Sequence, residues 1–287
     1  MPTTGNVESL ESSVGALPNL VVVGAMKCGT TSLHEYLDAH PDIGMSNPKE
    51  VNFFSGEHVD QPLDWYKGLF DPSKVIRGES SQSYSKAHLP LYAGAPERMA
   101  ALIPDAKLIY LVRDPIQRYV SHVRDNIYGE RKGTVSWALD TDHYVKTGLY
   151  HYQLGFFLRR YPLEQVMVVD LADLVADRLG TMNQIFAFLG VAPMQDASAF
   201  DFAANVSDEN RLPYGWEHSF LVRAGRRLAP GLTDRIIRAS FMQDALRADM
   251  REAELSDQDR AKLAERFRPD VDALRRLLGR DFPTWSV

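Results

Sequence analysis

The stretch that most constrains the fold is a strand–turn–helix pattern in residues 20–33, which read LVVVGAMKCGTTSL. The apolar run at 20–23 predicts a buried strand, and the two glycines after it predict a tight turn. The hydroxyl residues at 30–32 predict a helix that starts there and ends near residue 39. A helix N-terminus in this context is an anion site, because its first N–H groups have no partner within the helix and its dipole favours negative charge.

Lys27 adds a full positive charge to this turn. A Walker A loop reads GxxxxGK[ST], with the lysine directly after the second glycine. Gly24 and Gly29 have that spacing, but the lysine stands two positions before the second glycine. We therefore predict a phosphate-binding loop that is related in shape to a P-loop and places its charge differently; a turn without ligand is the alternative. The predicted ligand-binding residues of the loop are Lys27, Cys28, Gly29, Thr30, Thr31 and Ser32.

Composition and charge narrow the class of protein. The 287 residues are 45% hydrophobic and 24% charged with a net charge of −6, which is ordinary for a soluble globular chain and argues against a broad nucleic-acid-binding face. The single cysteine, Cys28, excludes an intrachain disulfide and a cysteine-cluster metal site, and we expect it to pack within the turn. No apolar run has the length of a bilayer span and no secretory pattern opens the chain, so the expected location is the cytoplasm.

Apolar, β-branched runs alternate with helical stretches along the chain. Strands are predicted at residues 20–23, 74–77, 107–112 and 165–170. Helices are predicted at about 30–39, 90–103, 115–129, 144–160 and 177–189. This alternation predicts the α/β class, with a P-loop NTPase-like, mainly parallel sheet flanked by helices and a ligand at the carboxyl ends of the strands.

The two ends of the chain differ from this alternating part. The composition of residues 1–18, rich in Ser, Gly, Thr and acidic residues, predicts a mobile tail, and we expect residues 19–287 to form one domain. The C-terminal portion is polar and helical. Within residues 256–278 the amphipathic period is interrupted by Pro269, so we expect two helices or a kink there.

A second anion-binding pattern follows the strand at 107–112. Arg113 ends that strand, Pro115 suits the first turn of a helix, and Ser121 comes about two turns later. A guanidinium group matches phosphate in a bidentate manner, and a serine hydroxyl adds a donor. The alternatives are an ion pair of Arg113 with Asp114 and a serine that bonds to its own helix backbone. Because Gly24 and Arg113 both follow strands, we expect them in one site.

Taken together, the two motifs resemble those of sulfotransferases that use 3′-phosphoadenosine 5′-phosphosulfate (PAPS) as donor. The loop around Lys27 resembles the 5′-phosphosulfate loop of that family, and the Arg-Asp-Pro run with its downstream serine resembles the 3′-phosphate motif. The resemblance covers roughly residues 19–285. It implies in-line transfer of a sulfuryl group to a hydroxyl or amine, without a metal, with Arg113 and Ser121 on the 3′-phosphate and 3′-phosphoadenosine 5′-phosphate (PAP) as product.

The segment at 48–54, PKEVNFF, resembles the KExxFF region of the family, especially in its heparan-type carbohydrate branch and bacterial relatives. The resemblance implies that Glu50 is the general base, and we expect Phe53 and Phe54 to supply an apolar wall beside it. An exposed loop glutamate is the alternative, and His88 is the alternative base. Asp64, Trp65 and Tyr66 match a further family stretch, in which we expect Trp65 and Tyr66 to pack in the core, with stacking on the acceptor as the alternative.

One position departs from the family pattern. Many relatives read Glu-Lys-x-x-x-Tyr where this chain has Ser80, which removes a positive charge near the transferred group. Lys49, Lys86 and His88 are the candidates to replace that charge. The stretch at 205–213 resembles a loop that covers the donor in the family, which implies Arg211 as a further donor-binding residue.

Two other functions remain open at this point. A P-loop kinase acting on a small molecule would need a lysine directly after Gly29 and a magnesium-binding acid at a strand end, for which Asp114 is the candidate. A non-catalytic nucleotide-binding module would bind the donor without turnover, and Ser80 favours it. If the chain is a sulfotransferase, the expected acceptor is a small molecule or a carbohydrate.

Overall fold

The computed structural model describes residues 15–130, 138–201 and 255–287. Most of the predicted tail and the predicted donor-binding residue Arg211 lie outside these ranges. At the start of the described chain, the carbonyl of Leu17 accepts a hydrogen bond from Arg77 Nε at 2.9 Å. In the described ranges, none of the helices combines the length and the apolar character that a bilayer crossing requires.

Five parallel strands form one sheet in the order β2–β3–β1–β4–β5. Their bounds are β1 Leu20–Gly24, β2 Ile43–Met45, β3 Ile76–Ser80, β4 Lys107–Val112 and β5 Val166–Asp170. All five residues of the central strand β1 are buried, as expected for a parallel strand covered on both faces. The predicted α/β class and parallel sheet are thereby confirmed. Strand β2 was not predicted, and β3 starts two residues later than the pattern indicated.

Helices flank the sheet and connect its strands. Their bounds are α1 Thr30–Asp38, α2 Leu63–Lys67, α3 Ala95–Leu102, α4 Pro115–Glu130, α5 Asp142–Lys146, α6 Tyr150–Leu158, α7 Leu171–Ala176, α8 Arg178–Leu189 and α9 Asp257–Leu278. The single helix predicted at 144–160 is wrong, because the chain breaks into α5 and α6. At the break, Gly148 lies so close to Arg118 that a Cβ there would be 2.8 Å from Arg118 Nε. Asp270 then caps the start of α6, where it accepts hydrogen bonds from the N–H groups of His151 and Tyr152 at 2.9 and 2.8 Å.

Helix α9 is continuous through Pro269, so the expectation of two helices is wrong. Ser256 caps its start, and Gly279 ends it in the left-handed conformation. The helix packs against α4, α5 and α6. Its buried stripe compensates for the backbone hydrogen bond that proline cannot make. That stripe consists of Leu263, Phe267, Val271 and Leu274.

The carboxyl ends of the parallel strands lie at one edge of the sheet, and the C-terminus of the chain returns to this edge. Trp285 Nε1 donates to Asp170 at 3.0 Å, where β5 ends. The Ser286 N–H donates to Asp114, directly after β4. Both carboxylates are buried. The residues after α9 therefore form part of the wall beside the ends of β4 and β5.

Candidate active site

The loop between β1 and α1 depends on two glycines. Gly24 has φ of 148°, and a Cβ there would lie 2.1 Å from Ser85 Oγ; Gly29 has φ of 91°, and a Cβ there would lie 2.9 Å from Leu171 Cδ1. Only glycine suits such a backbone at so close an approach. Helix α1 begins at Thr30, and its first turn contains no acidic residue. Gly29 is its N-cap and has no side chain that could bond the free N–H groups of this turn. The start of α1 therefore has the polarity that an anion requires.

Cys28 connects this loop to the second motif. Its side chain is fully buried, and burial raises the pKa of the thiol to about 11, so the thiol stays protonated. The sulfur lies 3.5 Å from the hydroxyl of Tyr150, which in turn donates to the carbonyl of Arg113 at 2.8 Å. The packing role expected for Cys28 fits this arrangement, in which Tyr150 bridges the two predicted anion-binding segments.

Asp114 does not form the ion pair with Arg113 that was one alternative from the sequence. Its Oδ1 accepts from the N–H groups of Ile116 and Gln117, both at 2.9 Å, and so caps helix α4. Its other oxygen accepts from Ser286 N–H. Among the described residues, the Arg113 guanidinium contacts Gln117 Oε1 instead, at 3.2 and 3.3 Å.

Lys27 is held against the same helix, α4. Its ammonium lies 3.3 Å from Asp125 Oδ1, and the two side chains are 20% and 26% exposed. Gln117, Ser121 and Asp125 are spaced four residues apart and therefore share one face of α4. Arg113 contacts the first of them and Lys27 contacts the last, about 12 Å further along the helix axis. By its position in the helix, Ser121 lies between these two contacts. The separation of the two cations suits a ligand with two separated anionic groups.

An open cavity of about 320 Å³ adjoins this face at Arg113. It lies between the start of α4, helix α7 and the C-terminal residues. Leu171, Val175 and Trp285 give it an apolar wall, and Arg113 and Gln117 give it a polar one. A flat, partly apolar group that carries a negative charge at one end suits such a space.

Glu50 is held at the end of β3. Its N–H donates to the carbonyl of Ser80 at 2.9 Å, and its Oε2 accepts from the Gln82 N–H at 3.0 Å. Its Oε1 contacts the Lys49 ammonium, and the Glu50 side chain is 28% exposed. The φ of Glu50 is 61°, in the left-handed region that non-glycine residues rarely adopt. Glu50 is therefore a carboxylate aimed by its neighbours rather than a freely solvated loop residue.

The aromatic residues near Glu50 form a packed layer. The Phe53 ring stacks on Tyr66 with a centroid distance of 4.0 Å, while Phe54 is buried. Tyr66 is fully buried as well, as expected for core packing, and its hydroxyl donates to Glu79. Glu79 also accepts from Ser81 and Tyr84, and burial raises its pKa to about 7.

Ser80 is buried, and its hydroxyl lies 2.9 Å from His34 Nδ1. His88 belongs to a separate hydrogen-bonded group, in which its Nδ1 lies 3.0 Å from the Gln153 amide nitrogen and its Nε2 lies 3.0 Å from His143 Nδ1. Burial lowers the pKa of His34 and of His88 to about 4. Both imidazoles are therefore neutral at pH 7. In the described part of the chain, no cluster of three or more His, Cys, Asp or Glu suits a metal ion.

The sequence analysis missed three residues that organise this site. Asp125 and Tyr150 contact Lys27 and Cys28 from 98 and 122 positions away along the chain, and no local pattern marks such partners. Gln82 acts through its backbone N–H, which any residue but proline supplies. Only the packing of α4, α6 and the β3 end around the loop brings these groups together.

The sheet, the loop and the Arg113 segment all lie within a part of the chain that matches a known family. Residues 17–207 match the family model of the sulfotransferase domain. The chain belongs to the sulfotransferase family. A crystal structure of a sulfotransferase from Alicyclobacillus acidocaldarius is similar to this chain with a TM-score of 0.67 and 26% identity, over 95% of this chain and 100% of the other.

Curated relatives of this chain include longer proteins. The human heparan sulfate glucosamine 3-O-sulfotransferase 3A1 is 28% identical over 193 residues, which are 63% of this chain and 46% of the relative. The mouse bifunctional heparan sulfate N-deacetylase/N-sulfotransferase 4 is 29% identical over 224 residues, which are 68% of this chain and 25% of the relative. The chain thus spans a quarter to a half of the lengths of these two relatives.

Proposed function

We propose that this sulfotransferase moves a sulfuryl group from PAPS to an acceptor hydroxyl or amine. The observation that carries the proposal is the face of α4, on which Ser121 lies between the Arg113–Gln117 contact and the Lys27–Asp125 ion pair. Two cations separated along one helix fit a donor that carries phosphate at two positions. A mononucleotide with phosphate at one end would use only one of them.

The residues present fit this donor. The start of α1 and Lys27 suit the 5′-phosphosulfate end, with backbone N–H groups from residues 28–32. Arg113 and Ser121 suit the 3′-phosphate, and the cavity of about 320 Å³ beside Arg113 has an apolar wall suited to the nucleoside. Arg211, which lies outside the described residues, remains a proposed donor-binding residue.

When bound, PAPS supplies a sulfuryl group, whose bond to the 5′-phosphate oxygen breaks as a bond from sulfur to the acceptor oxygen or nitrogen forms, releasing PAP. In this chain, Lys27 and the loop N–H groups stabilise the negative charge that develops on the leaving phosphate oxygen. Arg113 and Ser121 orient the donor through its 3′-phosphate. No metal is needed to neutralise the leaving group, because protein cations hold it.

Glu50 takes the proton that the acceptor loses as it attacks sulfur. Two contacts aim the Glu50 carboxylate, the Gln82 N–H at one oxygen and the Lys49 ammonium at the other. We favour Glu50 over His88 because each ring nitrogen of His88 has a single hydrogen-bonding site, and Gln153 and His143 take both, whereas a carboxylate oxygen can accept a further hydrogen bond. The partly buried Phe53 ring, whose one face stacks on the buried Tyr66, supplies an aromatic surface three residues from Glu50 against which a sugar ring or a small apolar acceptor can pack.

The acceptor class that we propose is a carbohydrate or a small molecule with a nucleophilic hydroxyl or amine. Support comes from two relatives, which are named as a heparan sulfate glucosamine 3-O-sulfotransferase and a heparan sulfate N-deacetylase/N-sulfotransferase. The kinase alternative has less support, because Thr30 stands where a Walker A lysine would be and both oxygens of Asp114 already accept backbone N–H groups.

Calorimetric binding of PAP, compared with ATP plus magnesium, tests the proposal. We expect PAP to bind without metal and Arg113→Ala to weaken it by at least tenfold, since a charged hydrogen-bonding partner is lost. A preference for ATP with magnesium would contradict the proposal and favour a kinase. Binding of PAP and PAPS without turnover on any of a panel of sugar, phenol and amine acceptors would favour a binding module.

A further inference from the structure

A short 3-10 turn, Gln82–Ser85, joins the two halves of the proposed active site. At its start, the Gln82 N–H holds the Glu50 carboxylate at 3.0 Å. At its end, Ser85 packs so closely on Gly24 that a Cβ on that glycine would lie 2.1 Å from Ser85 Oγ. The turn therefore runs from the proposed base to the first glycine of the donor loop, and Lys86 is the next residue along the chain.

The Lys86 side chain is half-buried, and its ammonium lies 5.5 Å from the centroid of the Tyr92 ring. Among the described residues, no carboxylate lies within ion-pair distance of this ammonium. Lys27 and Lys49, by contrast, each contact an acid, Asp125 and Glu50. A half-buried ammonium that faces a tyrosine ring and has no carboxylate beside it is electrostatically suited to bind an anionic ligand.

The charges that act on Lys86 come from both halves of the proposed site. Burial lowers the pKa of Lys86, the positive charge of the buried Arg118 lowers it further, and the negative charges of Glu50 and Asp125 oppose both effects. Lys86 thus lies within electrostatic reach of the proposed base and of the acid that holds Lys27. In the proposed reaction, the group that lies between the acceptor at Glu50 and the leaving phosphate at Lys27 is the sulfuryl group.

We propose that Lys86 binds the sulfuryl group of the donor and is the second cation of the transfer site, beside Lys27. This inference rests on the proposed function. It assigns to Lys86, rather than to Lys49 or His88, the charge at the transferred group. Lys49 is engaged by the carboxylate of Glu50, and His88 is neutral and hydrogen-bonded at both ring nitrogens.

The test compares PAPS with PAP, which differ only in the sulfuryl group, by calorimetric binding to the full chain. We expect Lys86→Met to lower the affinity for PAPS by about tenfold, the usual scale for a hydrogen bond to a charged group. The affinity for PAP should change by less than twofold. Lys86→Arg keeps the charge and should retain most of the PAPS affinity. Lys262→Met, which removes an equal charge from the exposed face of α9, should leave both affinities unchanged.

If Lys86→Met lowers the affinities for PAPS and PAP equally, or lowers neither, the assignment is overturned while the proposed function stays intact. Absence of PAP binding by the unmodified protein would overturn the proposed function, and the assignment with it. Thermal unfolding of each variant reports whether it is folded. Lys86→Gln, which keeps a polar end on the side chain, provides the same comparison if the methionine variant does not fold.

Discussion

The Asp125 carboxylate lies 3.3 Å from the Lys27 ammonium and holds the lysine of the glycine turn against helix α4. The pair connects the loop after β1 to the face of α4 that carries Ser121. It also places a negative charge beside a site that we propose for a highly anionic donor. Asp125 therefore both positions Lys27 and competes with the donor for it.

Replacing Asp125 with asparagine is expected to tighten PAP binding by about two- to fivefold at low salt, because a partly exposed ion pair of this kind contributes up to about 1 kcal/mol. The gain should shrink as salt is added. Calorimetry at two salt concentrations measures both effects, with Asp272→Asn on α9 as a charge-matched control. Weaker binding by Asp125→Asn would mean that holding Lys27 in place outweighs the competition.

Glu50→Gln is expected to lower turnover by about 10²–10⁴, the range for loss of a general base, and to leave PAP affinity within about twofold. Glutamine keeps an oxygen that can accept from the Gln82 N–H, so the local structure is retained. The measurement is single-turnover sulfuryl transfer from radiolabelled PAPS to the best acceptor from the panel. His88→Gln serves as the comparison, and a larger loss of turnover there would transfer the role of base to His88.

Gly24→Ala is expected to destabilise the fold by about 1–3 kcal/mol, because alanine is strained at φ of 148° and its Cβ would collide with Ser85 Oγ. Gly155→Ala is the matched control. Nothing lies within 4 Å of a Cβ at Gly155 in helix α6, so alanine there should stabilise the protein by about 0.5–1 kcal/mol. Urea unfolding measures both changes, and equal stabilities for the two variants would contradict the close approach of Ser85.

Acidification from pH 6.5 to pH 4 is expected to lower the free energy of unfolding. Burial lowers the pKa of His34, His88 and His143 to about 4, so the unfolded chain binds these protons first as the pH falls. Glu79 acts oppositely, since its pKa of about 7 means that the folded state binds its proton first, which favours folding at low pH. We expect the three histidines together to change the free energy of unfolding more than Glu79 does.

Urea unfolding at a series of pH values tests this balance. Glu79→Gln removes the opposing carboxylate and should make the loss of stability between pH 6.5 and 4.5 steeper than in the unmodified protein. His88→Gln should make it shallower. A slope that neither variant changes would show that other groups control the acid stability.

Local patterns predicted the elements whose hydrophobic period is strong and uninterrupted. Strand β4 has the bounds that its apolar run indicated, and α1 begins in the hydroxyl run after Gly29. The errors occur where tertiary contacts override local preference. Helix α9 continues through Pro269 because its buried stripe packs on three helices, and the 144–160 segment breaks where Gly148 meets the buried Arg118.

The sequence by itself determined the chemistry of the loop: two glycines, one lysine and three hydroxyl residues between a buried strand and a helix start. These features depend on neighbours a few positions apart, which a linear pattern records. The order of the strands and the packing of α4 and α6 decided which distant groups meet them. Asp125 beside Lys27, Tyr150 between Cys28 and Arg113, and Gln82 on Glu50 are contacts of the folded chain alone, since each joins residues that lie 32 or more positions apart.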